Sequence, residues 1–439
     1  MRLEGLSESL LSMAIPIKDF RGTKAFLNDP IFFRSKEELE KVETSVLEIL
    51  QSVQEQGDEA ILSLTKKFDG IELRELQIKP SHFSTDIDKA TQDAFLVAKK
   101  NIEEFHKAQI RNDWEIEVSG NRLGVKYVPM DSVCVYAPGG TALYPSSILM
   151  GVIPAKIAGV KHIQICTPPQ KEGIPPILIW LAQVLEVDTL VTVGGAQGIA
   201  GVSYGTQTIR KSDFVVGPGN KYVASAKAIL AGQGIIGIES PAGPSEVVVI
   251  ADKSAKAKWI AADLLSQAEH GRDSRSILAT DSSELIQEVQ KEIQAALQLP
   301  GKRNEMKQFA IDNNSCLCLF QNLDEAIEFS NFLGPEHLEI QTEKPELLFD
   351  KISNAGSVFL GEFSPVAMGD YISGTNHVLP TSGYSRIYSG LGVDSFYRRI
   401  THQTITKESL SSYYPLVKKM AEIEGLDEEH ARSIKVRLD

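Results

Sequence analysis

From Val133 onward the chain alternates short apolar runs with helical stretches, and this alternation constrains the fold more than any other feature of the sequence. Apolar runs such as VCVYAPGG, HIQICTPP, DTLVTVGG and SDFVVGPG are each followed by residues with helical spacing. A repeated strand–helix order is typical of a parallel doubly wound sheet. The strands are apolar throughout, which is expected where helices cover both faces. A second cycle begins at SEVVVIAD, so we predict two α/β units.

The two ends of the chain have a different pattern. Residues 36–67 and 87–110 show helical apolar spacing with charged faces between, and the last thirty or so residues read as two helices separated by a turn near Gly425. At 439 residues the chain has room for roughly two to four domains. We therefore expect an α/β core with helical segments before and after it.

Charge and apolar patterning exclude two classes of protein. The net charge of −13 and the absence of a basic stripe argue against a nucleic-acid-binding protein. Residues 132–155 are uncharged and long enough to span a bilayer, but Pro138, Pro145 and Pro154 interrupt them. We predict a buried strand, a loop and a helix there, and no association with a membrane.

The cysteines and the N-terminus indicate a reducing compartment. Cys134, Cys166, Cys316 and Cys318 lie inside apolar runs without Cys-x-x-Cys spacing, so we expect buried free thiols. The first twenty residues lack a basic region followed by an apolar core, which a secretory signal would have. We expect a cytoplasmic protein.

Three predicted strands end in glycine-rich turns. These are VYAPGG with Gly139 and Gly140, VTVGGAQGIAG with Gly194, Gly195 and Gly198, and VVGPGN with Gly217 and Gly219. Ligands of open α/β sheets bind beyond the carboxyl ends of strands, where glycine lets backbone amides approach phosphate. No turn fits Gly-x-Gly-x-x-Gly, so tight turns alone remain an alternative to a cofactor crevice. Tyr136, Gln197 and Asn220 lie at these turns and could donate hydrogen bonds to a nucleotide or accept them from it.

Polar residues suited to chemistry interrupt the second α/β unit and the C-terminus. They are Ser245, Gln267, His270, Glu336, His337, Asp370, His377, Glu424 and His430. Gln267 and His270 are three apart at the end of a predicted helix and so share a face, which could meet a metal, a substrate or nothing. With Asp370 and His430 they form a mixed nitrogen and oxygen set suited to Zn²⁺, but no local spacing establishes a metal site.

Taken together, these stretches closely resemble the histidinol dehydrogenase family over about residues 30–435. The motifs that carry the resemblance are VYAPGGTALYPSSILMGVIPAKIAGV, VGGAQGIAG, VGPGNKYV, AGPSEVVVIAD, ADLLSQAEHG, GPEHLEI and GDYISGTNHVLPT. The resemblance implies a cytoplasmic enzyme that oxidises L-histidinol to L-histidine through histidinal. Each substrate molecule would consume two NAD⁺, in the last steps of histidine biosynthesis.

The resemblance also implies the roles of the polar residues. One Zn²⁺ per subunit would be held by Gln267, His270, Asp370 and His430, and Glu336 and His337 would carry the proton chemistry. Substrate contacts would come from Ser245, His377 and Glu424 together with His337 and the four metal ligands. Tyr136, Gln197 and Asn220 would contact NAD.

For the fold, the resemblance implies two incomplete Rossmann-like doubly wound domains with small helical N- and C-terminal segments. The predicted divisions are an N-terminal segment at 1–31, a first α/β domain at 32–135 plus 244–391 with most of the metal and catalytic residues, a second α/β domain at 136–243 with the NAD contacts, and a helical segment at 392–439. The last segment would reach the partner subunit of a homodimer and complete a shared active site.

One departure from the family pattern lies at the C-terminus. In the family motif the His follows the Glu by five positions, whereas in EGLDEEH His430 follows Glu424 by six positions. An extra residue within a helix would rotate one side chain by about 100° relative to the other. Glu428 and Glu429 are alternatives to Glu424. The alternative functions are a zinc- and NAD-dependent dehydrogenase of another alcohol, such as a sulfonated diol, and a zinc hydrolase.

Overall fold

The computed structural model describes residues 15–33, 36–139 and 143–439, with the side chains of the first helix described from Val42 onward. The predicted N-terminal segment is thus described only from Ile15, and Gly140 lies outside the described residues. The strands are β1 Ile17–Asp19, β2 Gln77–Ile78, β3 Trp114–Val118, β4 Asn121–Pro129, β5 Ser132–Tyr136, β6 His162–Cys166, β7 Thr189–Val191, β8 Phe214–Val216, β9 Gly237–Ile238, β10 Glu246–Ala251, β11 Arg275–Thr280, β12 Cys316–Leu319, β13 His337–Gln341, β14 Ser357–Leu360 and β15 Tyr397–Thr404. The helices are α1 Lys36–Gln56, α2 Asp58–Asp69, α3 Lys89–Lys107, α4 Ser146–Ala158, α5 Pro176–Val184, α6 Gly195–Tyr204, α7 Lys221–Gly232, α8 Ala257–Ala268, α9 Ser283–Leu297, α10 Asn304–Asn314, α11 Leu323–Leu333, α12 Pro345–Phe349, α13 Val366–Tyr371, α14 Lys407–Glu424 and α15 Asp427–Lys435.

The first sheet has six parallel strands in the order β1-β12-β11-β10-β13-β14. If β10 is counted as the first strand, β12-β11-β10-β13-β14 stand in the order third, second, first, fourth, fifth, which is the Rossmann order without its sixth strand. Strand β1 is added at the edge beside β12. Successive residues of β10 face opposite layers. Val247 and Val249 pack with residues of α8 and α9, whereas Val248 and Ile250 pack with residues of α11. Burial on both faces explains why the strand is apolar throughout.

The second sheet repeats this design in the order β2-β7-β6-β5-β8-β9. Its parallel strands β5 to β9 again follow the third, second, first, fourth, fifth order, and β2 joins the edge antiparallel to β7. Val133 and Val135 pack with residues of α4, whereas Cys134 packs with residues of α6 and α7. The prediction of two incomplete Rossmann-like units is confirmed.

The helices that precede β5 pack on the second sheet. Val46 of α1 and Ile61 of α2 share a buried cluster with Val191 and Val215 of the sheet. Ile102 of α3 packs on the other layer, against residues of α4. The predicted division instead places residues 32–135 in one domain with residues 244–391. Residues 36–107 pack on the second sheet, so their packing differs from the predicted division. The domain boundaries as such stay a prediction.

A third, antiparallel sheet carries the C-terminal helices. Its order is β15-β4-β3, and β15 pairs with β4 from Tyr397 to Thr404. The sequence analysis anticipated helices in this segment but not β15, an almost entirely exposed strand without apolar alternation. Helices α14 and α15 follow, separated at Gly425 as predicted, where φ is +69°.

Three further predictions can be compared with the structure. No helix among the described residues is long and apolar enough to cross a membrane. In the uncharged stretch at 132–155, the first residues form β5 and the last ones the first part of α4, as predicted, while residues 140–142 lie outside the described residues. All four cysteines are buried and free.

Candidate active site

The predicted catalytic residues lie at the amino edge of the first sheet. His337 is the first residue of β13 and pairs with Val247 of β10, and Glu336 directly precedes it. Ser245 directly precedes β10 on the same edge. Helix α8 connects parallel strands, so its C-terminal end returns to this edge and brings Gln267 and His270 with it.

The glycine turns lie at the carboxyl edge of the second sheet. Tyr136 ends β5, Gly194 precedes α6, and Gly217 follows β8. The two edges meet where Nε2 of His377 lies 3.3 Å from Oγ of Ser147 in the first turn of α4. The glycine turns therefore agree with the rule that ligands bind at the carboxyl edge of a parallel sheet. The predicted catalytic residues instead lie at the amino edge of the first sheet.

A cleft of about 300 Å³ opens between these two edges. Residues before and at the start of α4 line one side, and residues after α8 and at the end of α13 line the other. The lining residues are Phe95, Leu143, Tyr144, Pro145, Ser146, Glu269, His270, Arg303 and Tyr371. Clefts with apolar walls and a few convergent polar groups are the usual form of a small-molecule site.

Glu336 and His337 form a buried acid–base pair. Oε2 of Glu336 accepts a hydrogen bond from the backbone N–H of Glu246 at 2.9 Å and lies 3.6 Å from Nδ1 of His337. Burial raises the pKa of Glu336 to about 7, against the opposing effect of the nearby imidazole. At neutral pH this carboxyl group is therefore ready to exchange a proton, which suits a general acid or base.

The imidazole of His337 lies between two carboxylates. Its Nε2 is 3.6 Å from Oδ1 of Asp370, and Glu336 is on its Nδ1 side. Burial disfavours the charged ring, but the charges of Glu336 and Asp370 outweigh burial and raise the pKa of His337 to about 9. The proton chemistry expected of His337 starts from a neutral imidazole. In the structure the ring holds its proton at neutral pH, because its pKa is raised by Glu336 and by the anionic Asp370.

Two of the four predicted metal ligands, His270 and Asp370, lie near each other, and Gln267 lies at the same helix end as His270. Gln267 is 2% exposed, and its Nε2 has no hydrogen-bond partner within the described part of the chain. Burial lowers the pKa of His270, which favours the neutral ring that binds metals, although nearby Asp370 works against this. For Asp370, burial is outweighed by His337, His377 and His270, and its pKa is lowered. Asp370 is therefore anionic at neutral pH.

His377 is held from both sides. Its Nδ1 lies 2.8 Å from the backbone oxygen of Asp370, and Ser147 is on its Nε2 side. Burial lowers the pKa of this imidazole. Because the carbonyl oxygen can only accept, Nδ1 carries the hydrogen and Nε2 is the acceptor in the neutral ring.

The two C-terminal site residues lie apart from the others in this chain. Glu424 is the last residue of α14, His430 lies in α15, and both are exposed. The additional residue of EGLDEEH falls in the stretch from the turn at Gly425 to the first turn of α15. Among the described residues, no group of three or more His, Cys, Asp or Glu side chains is arranged to hold a metal ion. Of the four predicted ligands, His270 and Asp370 lie near each other among the described residues, and Gln267 lies at the same helix end as His270.

The predicted nucleotide contacts already have partners within the chain. Oη of Tyr136 accepts a hydrogen bond from the N–H of Gly195 at 3.2 Å, and the buried amide of Gln197 reaches Asp69. Oδ1 of Asn220 caps α7 by accepting from two backbone amides. Each residue therefore shapes a glycine turn at the carboxyl edge of the second sheet.

Sequence analysis missed a buried polar cluster behind the site. Glu339 and Gln341 lie on β13 with 1% and 5% exposure, and Asp263 lies on α8. The signal was present in HLEIQ, where charged and amide residues alternate with apolar ones in a strand that is buried on both faces. A buried polar residue needs a partner, and here the partners are one another.

The fold is α/β, and comparison with known proteins shows that the chain is an oxidoreductase of the NAD-dependent dehydrogenase class. A sequence model of histidinol dehydrogenase matches residues 33–438. The histidinol dehydrogenase of Leptospira biflexa is 58% identical over 425 residues, which cover 97% of this chain and 99% of the relative. That of Bacillus cereus is 43% identical over 405 residues, covering 91% and 93%. The chain belongs to the histidinol dehydrogenase family.

A solved structure agrees with this assignment. The crystal structure of histidinol dehydrogenase from Elizabethkingia anophelis matches with a TM-score of 0.88 and 38% identity, covering 97% of this chain and 98% of the other. The fold of two Rossmann-like sheets is thus shared over 97% of this chain.

Proposed function

We propose that this chain oxidises L-histidinol to L-histidine through histidinal, with two NAD⁺ reduced to NADH and one water consumed. The observation that carries the proposal is the buried constellation of Glu336, His337 and Asp370 at the meeting edges of the two sheets. Family membership supplies the substrate, and the constellation supplies the proton acceptors that both oxidation steps require.

The residues present fit a zinc ion. Gln267, His270 and Asp370 offer one amide, one neutral imidazole and one carboxylate, a donor set suited to Zn²⁺. The buried Nε2 of Gln267 lacks a hydrogen-bond partner within the described residues. Because the amide can be turned over by 180°, its oxygen can take this position and face a metal. When bound, zinc would orient the substrate by its nitrogen atoms and polarise its oxygen.

In the first step His337 accepts the alcohol proton while hydride passes to NAD⁺. The ring must be neutral to do this. With Asp370 committed to a metal, His337 loses part of the negative charge that holds its proton, and the neutral form becomes more accessible. His377 and Ser245 flank the same edge and would bind the polar groups of the substrate.

In the second step His337 has released its first proton to solvent, and Glu336 takes a proton from water as the hydroxide adds to the aldehyde carbonyl. His337 then accepts a hydroxyl proton of this hydrate while its hydride would pass to the second NAD⁺, which leaves the carboxylate. A carboxyl group with a pKa near 7 is well matched to water activation at neutral pH. A cysteine thiohemiacetal is the usual alternative for aldehyde oxidation. Here all four thiols are buried in or at the strands, away from the cleft.

The complete site would need two subunits. Glu424 and His430 are exposed on the C-terminal helices, and α14 also exposes Leu416, Met420 and Ile423. An apolar helix face of this kind favours burial against a second copy of the chain. We take His430 and Glu424 of the partner subunit as the fourth metal ligand and a substrate contact. The homodimer then explains why one chain holds only three of the four ligands.

NAD would lie along the carboxyl edge of the second sheet, with Tyr136, Gln197 and Asn220 near it. The glycines between them leave room for backbone approach, and the turns are held by the side-chain contacts described above. The acidic net charge and the free cysteines fit a cytoplasmic enzyme with small-molecule substrates and no nucleic-acid or membrane partner.

Comparative turnover tests the substrate assignment. Purified protein loaded with zinc is supplied with NAD⁺ and either L-histidinol or a sulfonated diol, and NADH formation is followed. The proposal expects turnover with L-histidinol at a kcat/KM at least about 100-fold higher, because a site built for polar groups rejects substrates that leave them unpaired. Preference for the sulfonated diol would overturn it, and hydrolysis without NAD reduction would indicate a zinc hydrolase.

A further inference from the structure

Three polar side chains form a cluster inside the first sheet, one layer behind the candidate site. Nε2 of Gln341 donates hydrogen bonds to Oδ2 of Asp263 at 2.8 Å and to Oε2 of Glu339 at 2.7 Å. Glu339 is 1% exposed, so its carboxyl group is fully removed from water. We refer to Asp263, Glu339 and Gln341 as the carboxyl cluster.

The carboxyl cluster ties two helices to one strand. Oε1 of Glu339 accepts a hydrogen bond at 3.0 Å from the backbone N–H of Val366, the first residue of α13. Asp263 lies one helical turn before Gln267 on α8. Glu339 itself follows His337 by two residues on β13. The cluster therefore connects the segments that carry the catalytic histidine and three of the proposed zinc ligands.

The two acids of the cluster accept hydrogen bonds from the same nitrogen atom, Nε2 of Gln341, so two buried carboxyl groups lie side by side. Two carboxylates this close in a buried site repel each other, and the repulsion is relieved when one of them holds a proton. From α8 the titratable group facing Glu339 is Asp263. From α13 the facing group is the amide of Val366, and on β13 it is the side chain of Gln341. Since none of these is a cation, the proton is what keeps the two carboxyl groups together.

We propose that Asp263 and Glu339 share one proton and act as a positioning pair, which holds the ligand-bearing ends of α8 and α13 in the arrangement that zinc binding needs. The inference rests on the proposed function, because it takes Gln267, His270 and Asp370 as ligands. Neither acid touches the substrate or the metal. Their effect is exerted through the two helices.

Loss of the shared proton has a defined pH range. Burial, with the charge of Asp263, raises the pKa of Glu339 from its ordinary 4.5 to about 8. Between these values the folded protein holds a proton that the unfolded chain has released, so stability falls as pH rises through this window. Near pH 8 the proton leaves, and two buried carboxylates repel each other. The ends of α8 and α13 then separate, and affinity for zinc decreases.

Asp263→Asn is the informative substitution. Its amide can donate to Glu339 and its oxygen can accept from Gln341, so the hydrogen bonds remain without a titrating proton. Asp263→Ala removes them. Asp312→Asn is the matched control, since Asp312 is another partly buried acid with a raised pKa and a glutamine partner, on a helix without proposed ligands.

Two measurements are made on each full-length protein. Urea unfolding of the chelated protein at several pH values from 5 to 8.5 tests the shared proton. Competition of a chelator for added zinc at pH 6.5 and 8.5 tests positioning. We expect Asp263→Asn to become more stable relative to the wild type as pH rises. Between pH 6.5 and 8.5 the zinc affinity of the wild type should fall by a factor at least about threefold larger than the factor for Asp263→Asn.

The controls separate the outcomes. Asp312→Asn should show the wild-type pH dependence of zinc affinity, and Asp263→Ala should bind zinc more weakly at both pH values. Wild-type zinc affinity in Asp263→Ala, or an unchanged pH dependence in Asp263→Asn, would overturn the proposal. If the wild type bound no zinc at either pH, the proposed function and the positioning role would both fail. The unfolding measurements would then test by themselves whether Asp263 and Glu339 share a proton.

Discussion

Oδ1 of Asp370 lies 3.6 Å from Nε2 of His337, although Asp370 belongs to helix α13 and His337 begins strand β13. This contact joins a proposed metal ligand to the proposed proton acceptor. It makes the protonation of the imidazole depend on what else Asp370 binds. The acid–base group and the metal position are therefore one electrostatic unit.

Replacement of Glu336 by Gln is expected to separate the two oxidation steps. Glutamine keeps the size of the side chain but cannot take a proton from water. Oxidation of histidinal should slow by about 10²–10⁴-fold, the usual contribution of a general base, whereas oxidation of histidinol to the aldehyde should slow far less. Stopped-flow measurement of NADH with each substrate checks this. Equal losses in both steps would contradict the assigned roles.

The carboxyl edge of the second sheet should depend on a buried ion pair. Nζ of Lys227 lies 2.6 Å from Oε1 of Glu239 and donates to the backbone oxygen of Gly217, while the same carboxylate accepts from the N–H of Gly217. Lys227→Met leaves a buried carboxylate unpaired, and we expect a loss of about 3–5 kcal/mol in the free energy of unfolding, with weaker NAD binding.

Urea denaturation with an exposed control tests this expectation. Lys156 pairs with Glu186 at 3.0 Å on the surface. Lys156→Met should therefore cost less than about 1 kcal/mol and leave NAD binding unchanged. A similar loss in both variants would show that the burial of the Lys227 pair is not what matters.

His106 should make the protein sensitive to acid. The ring is fully buried, with Nδ1 2.8 Å from the oxygen of Ile102 and Nε2 3.3 Å from the amide of Asn376, which directly precedes His377. Burial lowers its pKa below the ordinary 6.5. As pH falls below 6.5 the unfolded chain binds a proton that the folded protein refuses, so stability decreases by at most about 1.4 kcal/mol per pH unit.

Replacement of His106 by Asn is expected to remove that part of the acid sensitivity. The measurement is the free energy of unfolding at pH 7.5, 6.5 and 5.5 for the variant, the wild type and a His82→Asn control on the surface. The variant should lose less stability than the wild type below pH 6.5. A parallel decline in all three proteins would contradict the prediction.

Mixed dimers test the shared active site. His337→Ala and His430→Ala subunits should each be inactive alone. If the C-terminal helices cross between subunits, a heterodimer has one site with both histidines, and random pairing restores about a quarter of the wild-type sites. Activity after coexpression or subunit exchange checks this. No recovery in verified heterodimers would show that each site is built within one chain.

The fold was largely predictable because its signals are local. Apolar runs ending in glycine, as at Tyr136 and Gly217, identify the strands and their carboxyl-edge turns. The placement of the polar set was not predictable by this reasoning, because it depends on which edges of two sheets meet. The end of α8 did contain the information, since a helix that connects parallel strands returns Gln267 to their amino edge.

Two other features were out of reach for physical reasons. The hydrogen bonds from Gln341 to Asp263 and from Val366 to Glu339 link segments that are distant in the chain, so no spacing in the sequence shows them. His430 is exposed in one chain, and its role depends on a second copy that the spacing of EGLDEEH does not reveal.

The most direct measurement is the amount of NADH formed per L-histidinol consumed, before chelation, after chelation and after zinc is restored. The account predicts two NADH per substrate, loss of turnover on chelation and recovery with zinc. Full turnover in the chelated, metal-free protein would contradict the role given to Gln267, His270 and Asp370. One NADH per substrate with accumulating aldehyde would contradict the role given to Glu336.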